Sequence, residues 1–478
     1  MGDSLGKKVV SGTVWATLDR FGNMALQFGV NLLLARLLLP VDFGAIGVLA
    51  IFMAVAQVLT DGGFSSALIQ RNNLTQTDYS SIFFCNLAMS VVIYGVLFLC
   101  APYIAVFFDM PVLCDVLRCI GLIIIISGLA QVQLVRFKKS MAFRTIALVN
   151  LVSYALAGAV AVVMAKQGYG VWSLVAMMII NQSVMSLLYW VLSSWRPSFV
   201  FSRESFRTLF GYGGYLLASS LLQEICRNMQ GVIIGRRFSG ADMGYYSQAY
   251  KLDQVTSYAL PQALVQVLFP FFSGISDDRK RLHDMMTIGI RLIATFIFPM
   301  LMLLIIVAPS LIPWLWGDKW IPCVPYFRIF CVGGLFTCLQ NVNFYAVAAC
   351  GFSKTLFRWS FYKWGMLLAL MFVGMFFGMT GLLWAISISN FNIYAVNAWL
   401  ASHHVGYKLT TQIRTIAPGM AASLMSLVVA LIAGSYGLHV MLQIAVFIAV
   451  YLCCAASMRM PVLDSIRFIY KKVIKKND

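Results

Sequence analysis

Long apolar runs separated by short polar segments fill the chain from beginning to end. A helix needs roughly 20 apolar residues to cross a membrane core about 30 Å thick, and runs of that length recur throughout the sequence. They are continuously apolar rather than alternating, which favours helices over the strands of a barrel. We therefore predict about fourteen transmembrane helices, at residues 11–34, 42–62, 80–102, 113–134, 145–165, 170–192, 209–234, 243–271, 287–308, 326–349, 357–378, 381–401, 414–434 and 438–457.

Composition agrees with an all-α integral membrane protein. Of the 478 residues, 61% are hydrophobic and only 11% are charged, whereas about a quarter of a soluble domain is charged. The net charge of +18 does not call for a nucleic-acid partner, because basic residues next to membrane helices set topology and contact lipid headgroups. The 11 cysteines are scattered through apolar runs without a CxxC pair, so we interpret them as packing residues rather than metal ligands.

The positions of the basic residues predict the topology. If the N-terminus is cytoplasmic, most of the 35 Lys and Arg residues fall in the cytoplasmic set of alternate loops, as the positive-inside rule requires. That set includes Lys354, Arg358 and Lys363, which are counted with the loop after the tenth span. We expect a multi-pass protein of the cell inner membrane with cytoplasmic N- and C-termini and a basic cytoplasmic tail.

An internal repeat relates the first predicted span to the seventh. At a shift of 200 positions the segment NLLLARLLLPVDFGAIG meets GVIIGRRFSGADMGYYS, and Arg36, Asp42 and Gly44 fall on Arg236, Asp242 and Gly244. The repeats begin six spans apart, which predicts two parallel six-helix bundles around a central cavity, followed by two extra helices. The predicted domains are residues 1–205, 206–402 and 403–478. We interpret the matched charges as pinning the turn between helices and the matched glycines as allowing close packing.

Charges inside the predicted membrane region concentrate in spans 1, 2, 7 and 8. A charge in the bilayer is costly and normally faces a partner or a wet cavity, so we predict that these side chains line the central cavity. The candidate cations are Arg20, Arg227 and Lys251; the acids are Asp19, Asp61, Glu224 and Asp253; the polar residues are Asn23, Gln27, Asn31, Gln57, Gln223, Gln254 and Asn341. The alternative is internal pairing, of Glu224 with Arg227 and of Lys251 with Asp253.

Three cations in a cavity suit an anionic headgroup, because guanidinium matches phosphate oxygens well. The acids would carry H⁺ or bind Na⁺ to drive transport, and no other cofactor is expected. The sequence has no P-loop, HExxH or GxSxG motif and no metal-ligand cluster, so we expect no enzymatic activity.

Several segments resemble the polysaccharide-unit flippases, the Wzx-type exporters of the multidrug/oligosaccharidyl-lipid/polysaccharide superfamily. The opening SGTVWATLDRFGNMALQFGVNLLLARLLLPVDFGAIGVLAIF is similar to theirs, and TDGGFSSALIQRNNLTQTDYSSIFF, VRFKKSMAFR and FSGADMGYYSQAYKL resemble the colanic acid exporter branch. The resemblance implies alternating access and a polyprenyl-diphosphate-linked oligosaccharide carried from the cytoplasmic to the periplasmic leaflet. It also implies that Arg20 is a first-helix cavity cation; Arg227 and Lys251 match only by location.

The expected partners are the lipid-linked oligosaccharide, membrane lipids and polysaccharide polymerase machinery. Three other functions stay open at this point. A multidrug antiporter of the same superfamily usually has twelve spans and acids in its cavity, and a lipid II flippase shares the fourteen spans and the cavity cations. A non-transporting scaffold gains nothing from buried charges.

Overall fold

The computed structural model describes residues 2–62, 64–65, 68, 74–200, 202–259, 272 and 278–458. Within those residues every regular element is helical, which confirms the predicted all-α class. The basic tail and the last part of the eighth predicted span lie outside the described residues.

The described chain divides into two compact units, Met1–Gly244 and Tyr245–Asp478. The predicted division at residues 205 and 402 stays a prediction. The first unit contains seven long helices and the start of an eighth. They are α1 (Gly2–Leu37), α2 (Pro40–Asp61), α3 (Gln76–Phe107), α4 (Val112–Lys139), α5 (Phe143–Lys166), α6 (Val171–Leu192), α7 (Arg203–Arg237) and α8 (Gly240–Asp253).

The second unit contains the remaining helices, several of them joined through short π or 3₁₀ segments. A π-helix, Gln254–Ala259, continues α8, and another, Ile293–Ile297, joins α9 to α10. The α-helices are α9 (Arg279–Leu292), α10 (Phe298–Trp316), α11 (Cys323–Ala349), α12 (Ser353–Gly374), α13 (Gly378–Leu400), α14 (Leu409–Ser435) and α15 (Val440–Ser457).

Ten helical segments of the described chain are long and apolar enough to cross a membrane. One of them, Lys354–Val405, contains both α12 and α13. Helices α1, α7 and α8, which carry most of the predicted intramembrane charges, are not among the ten. The chain is therefore a multi-pass membrane protein, and the count of fourteen spans stays a prediction.

The repeated charges cap the helices that follow them. Asp42 Oδ2 accepts a hydrogen bond of 2.9 Å from the backbone N–H of Leu39, just before α2. Asp242 Oδ2 accepts from the backbone N–H of Ser239 at 3.2 Å and from its hydroxyl at 2.7 Å, just before α8. Each carboxylate satisfies N–H groups that the first helical turn leaves without partners and favours the positive end of the helix dipole. The predicted role of the two aspartates in fixing these turns is confirmed.

The repeated glycines are required by a close backbone contact in the first unit. A Cβ on Gly44 would lie 1.9 Å from the carbonyl oxygen of Gly240, and a Cβ on Gly244 would lie 1.9 Å from that of Pro40. Real Cβ atoms do not approach a backbone oxygen so closely, so neither position accepts a larger residue without a backbone shift. The contact is reciprocal, because the repeat that matches Gly44 with Gly244 also matches Pro40 with Gly240. It confirms that Gly44 and Gly244 serve close helix packing.

Candidate functional site

Asp19, in α1, is held by amide side chains. Its Oδ1 accepts a 2.5 Å hydrogen bond from Nδ2 of Asn23, one turn later in the same helix. It also accepts a 3.1 Å hydrogen bond from Nδ2 of Asn150 in α5. The side-chain oxygen of Asn150, Oδ1, in turn accepts a 3.5 Å hydrogen bond from the hydroxyl of Tyr189 in α6. Tyr189 is only 1% exposed. The acid therefore joins three helices of the first unit, and its negative charge is stabilised by polar donors.

Arg20 is the next residue of α1, and consecutive residues do not face each other across a helix. Its side chain is exposed, as is that of Gln27, whereas Asn31 is half-buried and interacts with a neighbour. Among the residues described, Arg20 has no ion pair with an acid. The structure thus separates the two adjacent charges: Asp19 is bound within the helix bundle, and Arg20 is accessible.

Asp61, the last residue of α2, is the centre of a second hydrogen-bonded cluster. Its Oδ1 accepts from the hydroxyl of Ser65 at 2.5 Å and from Nε2 of Gln131, in α4, at 2.6 Å. Gln131 Nε2 also lies 2.7 Å from the Ser65 hydroxyl. An acid at a helix C-terminus meets the negative end of the helix dipole, and these donors offset that repulsion. Gln57, one turn earlier in α2, is exposed.

Glu224 in α7 is also hydrogen-bonded. Asn228 Nδ2, one turn later, donates at 2.9 Å to the Glu224 carboxylate and at 2.9 Å to its backbone carbonyl. Gln223 and Arg227 have exposed side chains, and Arg227 interacts with a neighbour. In the first unit, all three candidate acids therefore have amide donors.

Asp253, in the second unit, has a different environment. It is the last residue of α8, where the π-helix Gln254–Ala259 begins, and π segments occur often at functional sites. Among the described residues its Oδ1 is buried without a hydrogen bond of ordinary geometry, and the hydroxyl of Ser257, one turn later, lies close enough to interact with the carboxylate. Lys251, two residues earlier, interacts with a neighbour, and the alternative of internal pairing with Asp253 stays a prediction.

The polar residues near Asp253 differ in their surroundings. Lys251 has an exposed side chain that interacts with a neighbour, and Gln254 is half-buried. Asn341, in α11, has a buried Nδ2 without a hydrogen-bond partner. Gly334, also in α11, lies against the π-helix: a Cβ there would be 2.1 Å from the Ser257 hydroxyl. The second unit therefore contains buried polar atoms that no described residue satisfies.

Lys363 corrects one part of the predicted topology. It was assigned to a cytoplasmic loop, but it lies in the middle of α12 and is only 6% exposed. Its Nζ donates a 2.5 Å hydrogen bond to Oδ1 of Asn397 in α13 and lies 5.9 Å from the ring centre of Phe344 in α11. The loop assignment was wrong because the charge was grouped with Lys354 and Arg358 at the start of the helix rather than with the apolar run around it.

Sequence reasoning also missed the partners of the candidate charges. Asn150, Gln131 and Asn397 are uncharged amides, so a search by charge density did not select them. The available signal was the position of an amide in the middle of an apolar run, where an unsatisfied polar group is costly.

Comparison with known proteins identifies the class and then the family. The fold matches that of the lipid II flippase MurJ in an inward closed conformation, with a TM-score of 0.77 and 15% identity over 94% of this chain and 100% of that one. This is the multi-pass transporter fold that the resemblance implied. Residues 33–325, more than half of the chain, match the family described as Polysaccharide biosynthesis protein. The chain belongs to that family.

Two curated relatives agree with this membership. The lipopolysaccharide biosynthesis protein WzxC of Escherichia coli is 25% identical over 71% of this chain and 69% of its own length. The succinoglycan biosynthesis transport protein ExoT of Rhizobium meliloti is 27% identical over 66% of this chain and 64% of its own length. The predicted resemblance to Wzx-type exporters is thereby confirmed.

Proposed function

We propose that this protein is a flippase that carries a polyprenyl-diphosphate-linked oligosaccharide from the cytoplasmic to the periplasmic leaflet for surface polysaccharide biosynthesis. Membership of the polysaccharide biosynthesis family and the fold shared with a lipid flippase support a transport function over that of a scaffold. The lipid-linked oligosaccharide is the substrate, and alternating access moves it. The chain itself catalyses no bond-breaking step, and it acts in the inner membrane with both termini in the cytoplasm, alongside membrane lipids and the polymerase machinery.

The observation that carries this proposal is the separation of Asp19 from Arg20. Asn23 and Asn150 hydrogen-bond the acid, so the neighbouring guanidinium, which is exposed, remains able to bind an anion from outside the protein. A guanidinium presents several donors in a planar fork that fits phosphate oxygens. A diphosphate is the part of the substrate that such a cation recognises. Arg227 and Lys251, also exposed, supply further positive charge during translocation.

An ion gradient supplies the energy for this movement, with H⁺ or Na⁺ as the coupling ion. Among the four acids of the predicted cavity, Asp253 is the best suited to bind it, because its Oδ1 has no hydrogen-bond partner. The three acids of the first unit already accept hydrogen bonds from amides. A bound cation or proton would satisfy the lone pairs of this buried oxygen.

Complementation tests the function. The chain is expressed in a strain that lacks its own repeat-unit flippase, and surface polysaccharide is measured at matched membrane abundance. We expect the wild type to restore polysaccharide, Arg20→Ala to abolish it, and Arg227→Ala and Lys251→Ala to reduce it. Lys166→Ala removes an exposed cation at the end of α5 and serves as the matched control with wild-type activity.

The other outcomes separate the competing functions. Full activity in all three cation variants contradicts anion binding by these residues. Rescue of a strain lacking its lipid II flippase, without rescue of polysaccharide, identifies a lipid II flippase instead. Increased drug resistance without either rescue identifies a multidrug antiporter.

A further inference from the structure

Lys363 is a buried cation in the middle of an apolar helix. It lies ten residues into α12 (Ser353–Gly374), about 15 Å along the helix axis at ~1.5 Å per residue, which is half of a membrane core about 30 Å thick. The side chain is 6% exposed. Phe357 and Phe361, on the same helix, are each 53% exposed, so α12 turns an aromatic face outwards and its lysine inwards.

No carboxylate from the surrounding helices is available to Lys363. The sequence contains no Asp or Glu between residues 319 and 463, and this stretch includes both neighbours of α12, namely α11 and α13. The charged group on α11 is Arg328, whose Nε donates to the carbonyl of Ile305 at 2.9 Å. Helix α13 has no charged residue, and the π-helix that follows it, Ala401–Val405, contains His403 and His404. Lys354 and Arg358 are the other charges on α12.

Among the described residues one oxygen accepts a hydrogen bond from Lys363, and a second contact holds that oxygen in place. Asn397 is 2% exposed, and its Oδ1 accepts the 2.5 Å hydrogen bond from Nζ. Its Nδ2 points to the backbone carbonyl of Gln340, in α11, at 3.5 Å, which fixes the oxygen on the lysine side. An ammonium group has three protons to donate, and here it has one oxygen acceptor and the ring face of Phe344 at 5.9 Å. This environment holds a neutral amine well and an ammonium ion poorly.

We propose that Lys363 is a proton-binding residue of the transport cycle: its amine is neutral when α11, α12 and α13 are packed as observed, and it takes up a proton when they separate. This inference rests on the proposed transport function and names the coupling ion as H⁺. In the uptake step the amine nitrogen forms an N–H bond with a proton from hydronium, which leaves water. In the release step the same N–H bond breaks and the proton returns to water.

The proton is coupled to movement because the two forms of the side chain prefer different packing. The ammonium form is stabilised when water enters between α12 and α13, because water supplies the hydrogen-bond acceptors that Asn397 cannot supply by itself. The neutral form is stabilised when α12 and α13 pack together again, because this restores the contact with Asn397 and excludes water. Protonation from one side of the membrane and release to the other would then alternate these two packings.

A readout that needs no substrate tests the proton-binding step. The full chain is placed in nanodiscs of phosphatidylethanolamine and phosphatidylglycerol, and amide hydrogen exchange of α11–α13 peptides, corrected for the intrinsic pH dependence of exchange, is measured at pH 6.5 and 8.5. We expect several-fold faster exchange at the lower pH in the wild type. Lys363→Met keeps the length of the side chain without the amine and should remove the pH response.

Two further variants distinguish protonation from a merely structural contact. Lys363→Arg holds a permanent charge and should exchange fast at both pH values. Asn397→Asp supplies a carboxylate at the same position, stabilises the ammonium form and should also remove the pH response. The variant His403→Gln/His404→Gln controls for the nearby histidines and should retain it. An identical pH response in the wild type and Lys363→Met, or no response in either, overturns the proposal.

Complementation separates this inference from the proposed function. If the wild type restores polysaccharide, Lys363→Met and Lys363→Arg should each lose at least tenfold, and nigericin in potassium medium, which collapses the pH gradient, should abolish wild-type activity. Full activity in both variants contradicts proton coupling by Lys363 while leaving the flippase function intact. If the wild type restores nothing, the proposed function fails, and the exchange experiment still decides whether protonation of Lys363 moves the helices.

Discussion

The candidate acids of the two compact units differ in their surroundings. In the first unit Asp19, Asp61 and Glu224 each accept a hydrogen bond from an amide side chain. In the described part of the second unit, Asp253 has a buried oxygen without a hydrogen bond of ordinary geometry, and Lys363 contacts one amide oxygen and no carboxylate. Equal charge in the sequence therefore does not mean equal function. Asp19 and Asp61 are hydrogen-bonded to other helices, and the ion and proton sites proposed above are charges that lack such donors among the described residues.

Among the tests of this comparison, the largest expected effect is the loss of transport in Asp253→Asn. The amide is nearly isosteric but cannot carry a coupling cation or proton, so we expect polysaccharide export to fall at least tenfold, or about 1.4 kcal/mol. Initial rates of surface polysaccharide appearance at matched membrane abundance measure it. The matched control is Asp61→Asn, the same change at an acid with hydrogen-bonded oxygens, and it should lose much less. Equal losses in the two variants would remove the distinction between the units.

The next effect is on stability, at the three-helix cluster of the first unit. In Asn150→Leu the Asp19 carboxylate loses its donor from α5 and Tyr189 loses its acceptor, so the free energy of unfolding should fall by about 1–2 kcal/mol. Denaturant unfolding of the purified protein in mixed micelles measures this. Gln57→Leu, at an exposed amide of α2, is the control. Adding Asp19→Asn to Asn150→Leu should recover part of the loss, and strict additivity would mean that the two side chains are not coupled.

A smaller effect is expected for Gln131→Leu. Asp61 would keep the hydrogen bond from Ser65, so the loss should be near the ~0.6 kcal/mol average of polar contacts between membrane helices. The same unfolding measurement applies. A loss as large as that of Asn150→Leu would show that the Ser65 contact alone does not stabilise this acid at its helix end.

The smallest effect is expected for Asn228→Leu. Its bond to Glu224 joins neighbouring turns of one helix, and such pairs contribute about 0.2–0.5 kcal/mol. Stability should therefore hardly change. A much larger loss would mean that Glu224 needs this amide in order to remain charged in the membrane region.

Much of the fold could be predicted from the sequence because lipid imposes a simple rule. A backbone in hydrocarbon must form its hydrogen bonds internally, so the length of each apolar run predicts a helix; the run at 357–378, for example, overlaps α12 (Ser353–Gly374). The repeat likewise predicted that matched charges fix equivalent turns, and the structure shows that Asp42 and Asp242 do so by capping α2 and α8.

The site could be predicted only in part. Charge density selected α1, α2, α7 and α8, but it could not tell Asp19 from Asp253, because the difference depends on which distant amide reaches each carboxylate. Asn150 is 131 positions away from Asp19 in the chain, and no local pattern links them. Lys363 was misplaced for a related reason: its burial follows from packing against α11 and α13, which a count of loop charges does not include.

The reciprocal glycine contact has a consequence for how such a protein evolves after duplication of an ancestral half. At Gly44 and Gly244 the added Cβ would meet the carbonyl of Gly240 or Pro40, so each copy constrains the other through its backbone rather than through a side chain. A substitution in one copy cannot be compensated by a smaller residue in the other, because no smaller residue exists. Selection must therefore retain glycine in both copies even where the rest of the two halves has diverged beyond recognition.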